Sequence, residues 1–316
     1  MGGRSPHRTH DCNETEAKAR YMSNGKIPAR VFPPARHDAA VARETTTSPQ
    51  TESAAYRLAF QDEEFLLRED LRPVRFQLEL MKPELLLTEA HIGSTFVFYG
   101  SARIPEPAKA DALIAAATTE TQRRIAERLK AKSRYYDEAR QLARLASQAP
   151  PDAAGMRHFV VCSGGGPSIM EAANRGADDV GAESIGLNIV LPYEQLPNSY
   201  VTPSLSFQFH YFALRKMHFL LRARAVAVFP GGFGTFDEMF ELLTLVQTGK
   251  MARLPILLFG RDFWTRVVDF DALAEEGVIS PHDIELIRFV ENAEEAWSIV
   301  GDFYQERESR VVPQTA

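Results

Sequence analysis

Short, unbroken apolar runs alternate along this chain with longer stretches in which apolar residues recur every three or four positions. Thr95-Phe96-Val97-Phe98-Tyr99, His158-Phe159-Val160-Val161-Cys162, Ser184 to Val190, Ala225-Val226-Ala227-Val228-Phe229 and Ile256 to Phe259 are such runs. Their length and their aromatic or β-branched content predict buried strands. The helical spacing falls over 109–147, with a break separating 111–128 from 133–146, then over 169–180, 211–223 and 235–248. After the last strand it returns near 261–275, 281–288 and 292–306, while the stretch holding Pro192, Pro197 and Pro203 is predicted to be irregular. Strands alternating with helices in this way predict an α/β chain, a Rossmann-like doubly wound, mostly parallel sheet. Residues 1–51 carry Ser, Thr, Pro, Arg, His and Asn without sustained periodicity and are expected to form a disordered tail. Residues 52–90 predict an N-terminal helical accessory layer, its helices interrupted at Pro73 and Pro83, and 91–316 the sheet domain.

Three of the predicted strands run straight into glycine-rich turns: Gly100-Ser101-Ala102-Arg103, Ser163-Gly164-Gly165-Gly166-Pro167-Ser168 and Pro230-Gly231-Gly232-Phe233-Gly234-Thr235. Glycine admits close backbone approach, and the unpaired amides of a helix start attract anions, phosphate above all. One such turn alone is explained by a tight bend without a ligand. Three on the carboxyl edge of one sheet point to a mononucleotide pocket. Glu238 sits one turn into the helix that the third of these turns opens. A carboxylate beside a phosphate cradle repels its ligand, which marks it for chemistry rather than binding, although first-turn acids also complement a helix dipole.

Composition narrows the classes. The chain has 316 residues, 45% hydrophobic, and a net charge of −6, which supplies no general field for a nucleic-acid polymer. A local basic patch of Arg215, Lys216, Arg222 and Arg224 suits one small anion. Cys12 and Cys162 are too few for a disulfide framework or a cysteine zinc site, and His158, His210 and His218 lack metal-ligand spacing, so no metal and no cofactor is expected. No apolar run is long enough to span a membrane and no signal segment is evident, so a cytoplasmic protein without membrane partners is expected. The Gly-x-x-x-x-Gly-Lys-Ser/Thr loop is absent, and Gly164-Gly165-Gly166 lacks the dinucleotide Gly-x-Gly-x-x-Gly spacing, which leaves an NAD-dependent dehydrogenase as a minor alternative.

Gly164 to Ala177, Ser184 to Ile189, Arg215-Lys216, Pro230 to Glu238 and Thr244 to Lys250 together resemble the Lonely Guy (LOG) family over roughly residues 95 to 275. Those proteins are phosphoribohydrolases that release the base from nucleoside 5′-monophosphates, cytokinin ribotides in particular, and are often mislabelled lysine decarboxylases. A lysine decarboxylase with Lys216 as the Schiff-base lysine for pyridoxal phosphate would need a partner for the pyridinium nitrogen and a larger two-domain architecture, neither of which is evident in the sequence. The resemblance implies Arg215 and Glu238 as the catalytic pair, the amides of Gly232, Gly234 and Thr235 with the Thr235 hydroxyl on the 5′-phosphate, and Ser101 and Gly165 on the opposite wall. Lys216 and Gly231 are further expected substrate contacts. It also implies a homodimer or higher homo-oligomer, with AMP or a cytokinin ribotide as substrate, and places the chain nearer the longer bacterial branch. A nucleotide-binding regulatory protein without turnover is the non-enzymatic alternative. Ser168 stands where the family more often has glycine.

Overall fold

The computed structural model describes residues 32–192 and 196–311, with side chains to 306. Seven strands, β1 (Thr95–Tyr99), β2 (Val160–Ser163), β3 (Ile185–Ile189), β4 (Ser206–Phe209), β5 (Ala223–Val228), β6 (Ile256–Phe259) and β7 (Ile287–Val290), form one sheet in the order β4-β3-β2-β1-β5-β6-β7. Every pairing is parallel, with registers such as Val97 opposite Cys162 and Val226. The chain winds outward from β1 in one direction, returns to β5, and winds outward in the other, so β1 and β5 flank the point where strand order reverses. In such sheets ligands bind beyond the carboxyl ends of the strands at that point.

The helices are α1 (Ala35–Arg43), α2 (Glu63–Leu66), α3 (Arg72–Glu89), α4 (Pro107–Ala115), α5 (Glu120–Lys130), α6 (Arg134–Ser147), α7 (Ile169–Asp178), α8 (Phe212–Leu221), α9 (Phe233–Gln247), α10 (Arg261–Val267), α11 (Phe270–Glu275) and α12 (Ala293–Val311). On one face of the sheet, Val97, Leu187, Val226 and Leu258 pack with Leu214 and Phe219 of α8 and with Met239 and Leu242 of α9. On the other, Phe96, Phe98, Ala227 and Phe259 pack with Tyr136 and Leu142 of α6 and with Ile169 and Ala173 of α7. Both faces being covered, the central strands are continuously apolar, as parallel strands must be.

The chain divides into two units at Arg72/Pro73. The first 31 residues of the expected tail lie outside the described residues; within 32–51 the helix α1 is present, with no buried residue.

Several boundaries differ from expectation. The 109–147 stretch is three helices, because Thr119 and Gln122 form a reciprocal capping box that starts α5 afresh. The segment expected to be irregular contains β4, and the helix expected near 281–288 is a 3₁₀ turn, Pro281–Leu286, leading into β7. The interruption expected at Pro83 is absent, since α3 runs unbroken through it, whereas Pro73 falls at the start of α3, after the preceding short helix has ended. Pro73 lies in the first turn, where an N–H would have no intrahelical partner. Pro83 removes the donor that would meet the Glu79 carbonyl, and His218 Nε2 of α8 supplies one instead at 3.1 Å. The Glu79 carboxylate in turn accepts the N–H groups of His210 and Tyr211, at 2.8 and 3.2 Å, capping the start of α8.

Candidate active site

The three glycine turns leave the carboxyl ends of β1, β2 and β5, which are adjacent in the sheet. The Ser101 N–H donates to the Pro230 carbonyl at 3.1 Å, joining the first turn to the third. The middle turn is held from behind: Asn198 Nδ2 donates to the carbonyls of Gly165 and Gly166 and to Asn174 Oδ1, and Ser163 Oγ donates to Asn174 Oδ1 while accepting the Gly165 N–H. Gly165 has φ +72°, and a Cβ there would lie 2.6 Å from the Asn188 amide. Ser168 has φ 66°, a conformation that favours glycine, and its hydroxyl donates to the Ile104 carbonyl.

The first and third turns border a cleft of about 810 Å³. Ser101, Ala102 and Arg103 form one wall and Gly232 to Phe236 another, with Arg215, Glu238, Met170 and Val267 completing it. Gly232, the residue before α9, has no side-chain cap, and a Cβ on Gly232 or Gly234 would meet nothing within 4 Å. The first amides of a 15-residue helix therefore stand open at the cleft, the geometry that receives an anion.

Arg215 comes from α8 and Glu238 from the second turn of α9. Arg215 Nη1 and Glu238 Oε1 are 3.8 Å apart, with side chains 13% and 15% exposed. The arginine is fixed by its Nε–H donating to the Leu187 carbonyl at 2.7 Å, and its guanidinium carbon lies 5.2 Å from the Phe219 ring centre. Gly164 makes room for it, since a Cβ there would lie 2.6 Å from Arg215 Nη2. Burial raises the Glu238 pKa to about 7; Arg215 opposes the rise, Asp237 adds to it and Lys216 opposes it. Burial likewise lowers Arg215, with Glu238 the chief opposing influence. The pair thus combines a cation with a carboxyl group poised to exchange a proton near neutrality.

Of the expected site residues, Ser101, Arg215, Gly232, Gly234, Thr235 and Glu238 border this one cleft. Gly165, Gly231 and Lys216 are not among its lining residues. Gly231 leaves space that the Thr235 side chain fills. Lys216 Nζ lies 3.2 Å from Asp237 and 3.1 Å from Glu241. Among the additional lining residues, Arg103 follows directly from the first glycine turn, and Phe233 lies within the third, 96% exposed. Met170 and Val267 have no local signal, because they reach the cleft only when α7 and α10 pack on the sheet.

The family model described as possible lysine decarboxylase matches residues 170–300. The cytokinin riboside 5′-monophosphate phosphoribohydrolase LOG7 of Arabidopsis thaliana is 35% identical over 83 residues, 26% of this chain and 38% of that protein. LOG2 of the same plant, with the same activity in its name, is 25% identical over 175 residues, 54% of this chain and 78% of that protein. Among solved structures, the X-ray structure of TM1055 has a TM-score of 0.42 at 18% identity, covering 66% of this chain and 99% of that one. The Moco carrier protein of Chlamydomonas reinhardtii has a TM-score of 0.39 at 16% identity, covering 67% and 98%.

Proposed function

We propose that this chain, which matches the possible lysine decarboxylase family and is similar to the Lonely Guy phosphoribohydrolases, hydrolyses the N-glycosidic bond of a nucleoside 5′-monophosphate. The observation that carries the reading is the recessed Arg215–Glu238 pair in a cleft that also opens onto the uncapped start of α9. The 5′-phosphate rests on the amides of Gly232, Gly234 and Thr235. The ribose then lies over Glu238. As the C1′–N bond stretches, positive charge builds on the ribose, and an ionised Glu238 stabilises it. Water adds its oxygen to C1′ and gives a proton to Glu238, while the bond's electron pair leaves with the base, which ultimately takes up that proton. Arg215 orients the carboxylate and favours the departing electron pair. The products are free base and ribose 5-phosphate, with AMP or a cytokinin ribotide as substrate.

Chromatography of the protein incubated with AMP and with isopentenyladenosine monophosphate tests this reading. Wild type is expected to release base and ribose 5-phosphate, and Glu238→Gln and Arg215→Ala to lose the activity by about a thousandfold. Intact nucleotide with saturable binding would replace hydrolysis with a binding role.

A further inference from the structure

We propose that the chain carries a second anion site, at the amino-terminal ends of the strands and so opposite the Arg215–Glu238 cleft, for a small molecule bearing a diphosphate group. The basic patch evident in the sequence does not survive folding as one surface. Arg215 faces Glu238, Lys216 is held by Asp237 and Glu241, and Arg222 Nη2 lies 3.0 Å from Glu84. Arg224 is left without a carboxylate partner among the described residues.

Arg224, near the start of β5, lines a cleft of about 500 Å³ with Lys250 and Arg253, both from the α9–β6 connection. This lies at the amino ends of β5 and β6, whereas the glycine turns lie at the carboxyl ends. Three cations line it and, among the described residues, no carboxylate does. In a chain of net charge −6 that gathering is unexplained by composition. Lys250 lies just beyond the carboxyl end of α9 and so complements that helix's dipole, but Arg224 stands on a strand and has no such reason to be there. The Arg253 charge helps to lower the Asp283 pKa and Arg253 has interactions of its own, so the site rests on Arg224 and Lys250. Cations gathered around one recess attract an anion, and arginine forks match phosphate oxygens. Met251, Leu254 and Tyr304 supply an apolar side to the cleft, and the Tyr304 hydroxyl donates to the Arg224 carbonyl at 2.6 Å, anchoring the strand. The volume fits a small molecule and leaves room beyond the diphosphate itself.

The test is calorimetric titration of the full chain with inorganic pyrophosphate and with ADP, in excess ribose 5-phosphate to fill the α9 cradle. Wild type is expected to bind one pyrophosphate per chain, more weakly as salt rises. R224Q/K250Q, with unchanged melting temperature, is expected to bind about tenfold more weakly or worse. Arg253→Gln serves as the second variant, with a smaller loss. Tighter binding of ADP than of pyrophosphate assigns the site to a nucleotide, and equal binding to the diphosphate group alone. No binding by wild type at millimolar pyrophosphate, or identical isotherms for wild type and R224Q/K250Q, overturns the proposal. Because ribose 5-phosphate is only an occupant in this design, hydrolytic activity is measured separately and its absence leaves the outcome unaffected.

Discussion

Glu238 is held in a site that disfavours its charge, and this has an energetic consequence. With a folded pKa of about 7 against an ordinary 4.5, the native chain binds more protons than the unfolded chain between those values. Stability therefore falls as pH rises through that window and is lower by roughly 3 kcal/mol above it, at about 1.4 kcal/mol per unit. Glu238→Gln removes the ionisation, so thermal melting is expected to show the variant stabilised at pH 8 and little changed at pH 4. Base release by wild type is expected to rise with pH through about 7 as Glu238 ionises. A pH-independent difference in melting would show that burial does not oppose the charge. The identities of Arg215 and Glu238 were readable in their motifs, but their 3.8 Å separation was not. Nor was the role of Gly164, whose missing Cβ matters only because Arg215 arrives from a different helix.

Between elements, α8 and α9 meet through two neighbouring charge contacts: Arg215 with Glu238, and Lys216 with Asp237 and Glu241 one turn apart. Lys216 is in this view a positioning residue rather than a substrate contact. Since its charge opposes the rise in the Glu238 pKa, Lys216→Gln is expected to move the rising limb of the pH–rate profile to higher pH and lower kcat several-fold. KM is expected to stay within about twofold, with Lys216→Arg restoring the profile. A raised KM with an unmoved limb would make Lys216 a direct ligand. Helix α3 carries the contrasting lesson. Pro83 looked like a break because a proline's cost is local, while the His218 donor that offsets it lies 139 positions from Glu79.

For the molecule as a whole, strand order placed the cleft. All five strands anticipated from apolar runs are present, and the two that were missed, β4 and β7, are the sheet's edges. An edge strand has one paired side and weaker burial, so Ser206-Phe207-Gln208-Phe209 and Ile287-Arg288-Phe289-Val290 mix polar with apolar residues and lose the continuous signature. Assembly belongs to the same scale. Phe233, 96% exposed beside the cleft, is expected to be covered by a second copy. Sedimentation velocity should give a dimer or larger species, and Phe233→Ser should shift it towards monomer; a monomeric wild type would exclude that interface. The sequence by itself determined what depends on near neighbours: periodic helices, central strands, glycine turns and the acid that follows one of them. Tertiary structure alone decided which distant residues met, because the Arg215–Glu238 contact, the donor for Glu79 and the gathering of Arg224 with Lys250 each require elements far apart in the chain to pack on one sheet.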